Sequence, residues 1–318
     1  MLLNKPMSRA GAAGGEGGRT AGVAVRWSAL PDVTKGVALA GAGIFILSPD
    51  ALLIRSMTVD EGTLLFFRGA LAVVGYLALI RIHGGAVRAR RTWALSRPEL
   101  AVAGLMMVAN VLFVTSIRHV NAALALVIIS SAPAFTALLS SLVGESIAQR
   151  TWIASLVVVA GIGAIFATQP EGGDLLGAAA AVGASMILAV TLVVRRRNPS
   201  IRMLPALGVG AAATALVALP FASPASTSAS DLGLAAIMGL MVLPVSLDLI
   251  WRAPRYITAP EVSLVSLMEA VLGPLWIWLI IGEVPTLAAV LAGVVIIGTL
   301  AVHAVLTQRE LDAEARPP

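Results

Sequence analysis

The sequence predicts an all-α integral membrane protein, with ten transmembrane helices in two inverted five-helix repeats and both termini cytoplasmic. Three observations predict it. The chain of 318 residues is 58% hydrophobic and only 12% charged, with a mean hydropathy of +0.93, whereas soluble domains carry about 25% charged residues. Its cations gather in alternate connections. A short block of residues also recurs once, at an offset that reverses its orientation in the bilayer.

A hydrocarbon core about 30 Å thick needs roughly 20 apolar residues per helix. Ten runs meet that requirement: 36–57, 62–81, 99–118, 121–142, 152–169, 174–194, 203–222, 232–251, 258–281 and 285–306. Runs three and four are parted only by His119 and Val120. With the N-terminus inside, nineteen of the 22 Lys and Arg residues fall in cytoplasmic segments. Arg81, Arg88, Arg90, Arg91 and Arg97 flank the second connection, and Arg195, Arg196, Arg197 and Arg202 the sixth. The opposite face holds Arg55 and Arg118, and Arg68 lies inside run two. This is the positive-inside asymmetry of a multi-pass membrane protein, and it places both termini in the cytoplasm. The pI near 10.6 therefore reports topology, and no nucleic-acid partner is expected.

Several classes drop out. With no cysteine, disulfides and thiolate metal sites are excluded. His83, His119 and His303 are scattered without ligand spacing, so no metal site is expected. No Gly-x-x-x-x-Gly-Lys-Ser/Thr run exists to cradle a nucleotide, and no cofactor is expected. Residues 1–27 are rich in Gly and Ala and lack an apolar segment of signal-peptide type. Residues 1–35 are expected as a disordered cytoplasmic tail, and 307–318 as a second tail. The oligomeric state stays open.

The chain repeats itself. Ser116-Ile117-Arg118-His119-Val120-Asn121-Ala122-Ala123 resembles Ala253-Pro254-Arg255-Tyr256-Ile257-Thr258-Ala259-Pro260 at a spacing of 137. A helix follows each copy and ends at Gly144-Glu145 or Gly282-Glu283. The halves are 36–169 and 170–306. Five spans per half is an odd number, so the copies insert in opposite senses and Arg118 and Arg255 fall on opposite sides. Inverted repeats of this kind characterise secondary transporters, with the substrate held between the halves.

This arrangement resembles the drug/metabolite transporter superfamily, specifically its EamA-type ten-helix members. The resemblance rests on Ala132-Pro133 through Gly144-Glu145 and on Met268-Glu269-Ala270-Val271 through Gly282-Glu283, and covers roughly 36–306. Where many members carry Glu-Pro, this chain has Glu269-Ala270, with a proline at Pro274. The resemblance implies a helical basket around a central cavity that opens alternately to each side of a bacterial inner membrane. It also implies export of small organic solutes.

Ionisable residues inside a membrane are rare and mark pathways. Asp50 lies about seven residues before the outer end of run one, and Arg68 about six after the start of run two. At about 1.5 Å rise per residue both sit roughly 10 Å below one surface. Pro49 cannot donate a hydrogen bond, so it frees the carbonyl of Phe45 in mid-membrane. Two readings of Asp50 stand: contact with a substrate amine or a coupling proton, or a buried pair with Arg68 that locks the first two helices. Asn110, at the same depth, serves either a neighbouring helix or a substrate carboxylate.

Glu269 and Trp276 are seven residues apart and share a helix face. With the kink at Pro274, which frees the carbonyl of Ala270, they suit a cavity wall for a partly apolar cation or zwitterion. A protonated Glu269 bonded within the bundle is the other reading. Ser131, beside Ser130, Thr136 and the kink residue Pro133, lines the cavity or packs helices. Thr258 and Glu261 have the spacing of a capping box, and Asp248 pairs with Arg252 one turn on. The leading expectation is a secondary transporter of small metabolites, amino acids or amphipathic drugs, not an enzyme, with proton coupling open. An intramembrane enzyme on lipid-linked substrates and a non-transporting scaffold are the other classes.

Overall fold

In hydrocarbon every backbone N–H and C=O must be satisfied within the protein, and a chain this apolar meets that demand as helix. The computed structural model describes residues 30–90, 95–142, isolated positions between 153 and 160, 173–257, 259–285 and 287–314; the described residues contain no strand. Six helical stretches are long and apolar enough to cross a membrane: Asp32–Ser56, Glu61–His83, Arg97–His119, Leu175–Arg195, Met203–Phe221 and Ala229–Arg255. Ala122–Thr136 and Met268–Ile281 are shorter apolar helices. Run five, 152–169, lies outside the described residues apart from single positions.

Run one is two helices, α1 (Asp32–Leu47) and α2 (Asp50–Ser56), broken at Ser48-Pro49. Run two is α3 (Glu61–Arg90) and run three is α4 (Arg97–His119). Run four is also split, into α5 (Ala122–Ile129) and α6 (Ala132–Leu142), just ahead of Pro133. Then come α7 (Gly173–Arg197) and α8 (Met203–Ala218). Run eight is α9 (Ala229–Ala236), a π-helical turn over Ile237–Val242, and α10 (Leu243–Arg252). Runs nine and ten are α11 (Ala259–Ile281) and α12 (Leu287–Glu314).

Two expected tails are shorter than the sequence suggested. α1 starts at Asp32, inside the segment expected as tail, where Lys35 pairs with Asp32 at 2.9 Å and stands 5.9 Å from the Tyr256 ring centre. α12 continues to Glu314 because Gln308-Arg309-Glu310-Leu311 are helix formers once a helix has been nucleated. Thr258 lies outside the described residues, so its capping box carries no structural statement.

The chain alternates between two ends. The connections before α3, α5, α9 and α12 share the end opposite the start of α1, here called distal. There Arg118 donates to the carbonyls of Met57 and Val59 at 3.1 and 2.8 Å, and the Ser223 amide donates to the Thr63 hydroxyl at 2.7 Å. Asp60 caps α3 through the Thr63 amide and hydroxyl. Burial raises the Asp60 carboxyl pKa, but these hydrogen bonds outweigh it and hold the group below the ordinary aspartate range. At the proximal end Asp248 pairs with Arg252 at 2.8 Å, as its spacing suggested.

Two capped acids tie neighbouring connections together. Glu99, in the first turn of α4, receives the Ser96 amide, the Arg202 amide and the Arg202 guanidinium. Asp231, in the first turn of α9, receives the Ser228 hydroxyl, the Thr58 amide and the Thr58 hydroxyl. Glu99 accepts the backbone amide of its own N-cap residue and Asp231 the hydroxyl of its own, and each holds a backbone amide of the connection beside it. Glu99 does so at the proximal end and Asp231 at the distal end.

The packing follows the same pattern. α1 lies on α10 and α11, while α7 lies on α4 and on α5 and α6; α3 and α8 pack together. The α3–α8 contact is close because Gly69 has no side chain. A Cβ there would meet the Ala211 carbonyl at 2.6 Å and the Ala215 amide at 2.8 Å, both backbone. Gly69→Val is therefore expected to destabilise the bundle by about 1–3 kcal/mol. At Gly233, in α9, a Cβ meets nothing within 4 Å, so Gly233→Ala should hold or raise stability by up to about 1 kcal/mol. Thermal unfolding in detergent reads both, and equal melting points for the two variants would contradict the packing.

Candidate functional site

The site is built on the break in run one. Pro49 has no N–H to give the Phe45 carbonyl, and the Ser48 hydroxyl, 2.8 Å away, takes that carbonyl instead. The chain then restarts as α2 with Asp50 in its first turn, where the exposed amides of a helix start favour a carboxylate.

From α3, Arg68 meets Asp50 as a fork. Its Nη1 and Nη2 donate to Oδ1 and Oδ2 at 2.6 and 2.7 Å. Its Nε donates to the Asn110 amide oxygen of α4 at 2.8 Å. The Met238 sulfur lies against Nη1, and the Phe113 ring centre is 5.8 Å from the guanidinium carbon. Asp50 is 2% exposed and Arg68 3%. Both carboxylate oxygens and the guanidinium are thus engaged by four helical segments. In this arrangement the pair locks α2 to α3, each Asp50 oxygen accepting one guanidinium N–H.

Across the break stands α11. Trp276 donates its indole N–H to the Ser48 hydroxyl at 2.9 Å, and its ring meets Phe45 edge-on at 6.3 Å and 74°. Pro274 lies inside the same helix. Five residues before Pro274 on α11, Glu269 is half-buried and within the field of Asp50. Among the described residues it has no hydrogen bond and no ion pair. Two carboxylates therefore flank the break: one saturated, the other unpartnered.

Ser131 belongs elsewhere. Its hydroxyl donates to the Ile128 carbonyl and shares a 3.1 Å hydrogen bond with Ser185 of α7. Pro133 frees the Ile129 carbonyl, and Ser185 also donates to it at 3.3 Å. These hydrogen bonds lie at the seam of α5, α6 and α7. Ser185 lies 137 residues after Ser48, the offset of the sequence repeat. Each serine mends a broken or bent span of the bundle.

Three residues near the site carried little sequence signal. Ser48 and Met238 sit unmarked within apolar runs. Tyr76, one of two tyrosines in the chain, lies about two turns beyond Arg68 on α3 and within the field of Arg68 and Asp50. It is 3% exposed, and its hydroxyl makes no hydrogen bond among the described residues. No metal-holding group of His, Asp and Glu side chains occurs among those residues.

Residues 34–167 match the model of the EamA-like transporter family, which forms part of the drug/metabolite transporter superfamily. Among curated proteins none matches this chain. One solved crystal structure of a protein covers 87% of the chain and 99% of its own, with a TM-score of 0.64 at 18% identity, and so shares its fold.

The lock makes a direct prediction. Asp50→Asn or Arg68→Leu alone leaves a buried group unpaired and should destabilise by about 3–5 kcal/mol. The double variant should recover part of that loss, because neither charge is then stranded. A thermal double-mutant cycle with additive losses would mean that the two side chains do not interact.

Proposed function

We propose that this chain is a secondary transporter that moves small organic solutes outward across the plasma membrane by alternating access. The unpartnered carboxylate of Glu269 carries that reading. A buried charge without a partner is costly, so Glu269 suits a group that holds either a proton or a substrate ammonium. Holding one excludes the other, which is the simplest way to couple an outward amine flux to an inward proton. The Trp276 ring and the kinked backbone beside it supply an apolar wall. Amphipathic amines, amino acids and related metabolites are the solutes that fit.

The match of residues 34–167 to a transporter family supports the general class. The packing supports two inverted repeats of five spans: run one on runs eight and nine, and run six on runs three and four, each partner displaced by five. The same reading makes the distal end the outer one, because it is poor in arginine. Asp50 and Arg68 then form a fixed wall beside the mobile contact at Glu269.

Counterflow in proteoliposomes tests this. Vesicles loaded with a pool of amino acids, nucleosides and cationic drugs face labelled traces outside. Selective uptake is expected, with at least a roughly tenfold loss in Glu269→Gln, the size of one lost charge-assisted contact. Trp276→Phe keeps the ring and should raise KM more than it lowers the maximal rate. Normal flux in Glu269→Gln would remove Glu269 from the mechanism. A chemically altered solute would point to an enzyme instead.

A further inference from the structure

At the distal end, three connections converge on one side chain. Gly282, with φ +79°, turns the chain out of α11, a conformation that suits glycine, and Glu283 follows it. The Glu283 Oε1 accepts from Arg55 at the end of α2 at 3.0 Å, from the Asn121 side chain at 2.9 Å and from the Ala122 amide at 3.1 Å. Arg55 also donates to the carbonyls of Arg118 and Val120 at 3.4 and 3.1 Å. Arg118 in turn reaches back to Met57 and Val59. One carboxylate thus bridges the 9–10 connection to the 1–2 and 3–4 connections, above the Ser48–Asp50 break.

We infer that Glu283 closes a distal gate, and that its contacts must break for solute to pass between the site and the distal face. The inference rests on the transporter reading above. Two observations distinguish this cluster from a permanent joint. The Nε atoms of Arg55 and Arg118 are buried without an acceptor, so closure leaves donors unsatisfied, as a state made to open would. The clamps at Glu99 and Asp231, by contrast, engage both of their carboxylate oxygens. Glu283 has no strong hold on its own helix either, because it follows the last turn of α11.

The sequence repeat adds weight. Arg118 and Asn121 align with Arg255 and Thr258 at the spacing of 137, and Gly282-Glu283 corresponds to Gly144-Glu145 one residue off that register. Glu145 and Thr258 lie outside the described residues.

The chain has no cysteine, so a single thiol can report the gate. Ser48→Cys places one behind it, at a residue that is 2% exposed. A membrane-impermeant maleimide is then applied from each side, in intact cells and in inside-out vesicles. Glu283→Gln is expected to raise labelling from the distal side roughly tenfold, a modest shift of a two-state equilibrium, and to leave proximal labelling no higher. Arg55→Gln should act in the same direction, and the two changes should not add. Labelling unchanged from both sides, or raised only from the proximal side, would overturn the gate.

Should Glu283→Gln fail to fold, Arg55→Cys with Glu283→Cys, bridged by a short bifunctional thiol reagent that reductant removes, carries the test. Bridging is expected to abolish counterflow and reductant to restore it. Full flux in the bridged protein would overturn the gate and leave the transporter standing. If neither bridged nor free protein moves any solute, the transporter reading fails, and distal labelling of Ser48→Cys alone decides whether the end opens.

Discussion

The Arg68 guanidinium is the constraint around which the bundle is arranged. A charge in hydrocarbon has no water to turn to, so the protein must supply every partner. Here Asp50 takes two of its N–H groups in a fork, Asn110 takes a third, and Met238 and Phe113 close the remaining faces. These groups come from α2, α4 and the π-helical turn in run eight. To bring them within about 3 Å of one side chain, α3 must lie between those segments. Gly69, the next residue in sequence, removes the side chain that would hold α8 away. Charge satisfaction and close packing are thus solved on adjacent positions of one helix.

Proline breaks set the second level of order. Inside a bilayer a broken helix leaves carbonyls that nothing outside the protein will satisfy. Run one meets this with the hydroxyl of Ser48, and the span at Pro133 meets it with Ser185 from across the interface. A hydroxyl is suited to such a repair because it can donate to the orphan carbonyl and still accept from another partner. Ser48 does so with the Trp276 indole, and Ser185 shares a hydrogen with Ser131. Each repair therefore also joins one half of the chain to the other. Irregular backbone is tolerated where it faces the interior, and that is where a solute would be handled.

Polar groups in the bundle consequently fall into two kinds. Asp50, Arg68, Glu99 and Asp231 have their hydrogen-bonding capacity engaged by protein, and serve as fixed joints. Glu269 and the Tyr76 hydroxyl have no such partner among the described residues, and the Arg55 and Arg118 Nε donors at the distal end are left over. In the proposed transport cycle, the groups with unspent capacity change partners while the joints hold the frame. The proposed cycle uses that division: solute at Glu269, a distal closure at Glu283, and joints at both ends that persist.

The sequence by itself determined the class of molecule. Composition and run length dictated helices in a bilayer, the arginine pattern set the expected orientation, and the depth of Asp50 and Arg68 placed them in one layer. Chemistry that acts along the chain was equally legible: the break at Pro49, the Asp248–Arg252 pair, and a shared face for Glu269 and Trp276. Tertiary structure alone decided which partners each polar residue meets. Asp50 meets Arg68 as a fork, and Ser131 meets Ser185 across a helix interface. Neither Met238 nor Ser48 is distinguishable in a run of apolar residues, and Glu283 looked like the end of a helix until Arg55 and Asn121 were brought to it from 228 and 162 residues away. Periodicity and hydropathy act over a few turns of helix, whereas the partner of a buried charge is chosen by which helices pack together.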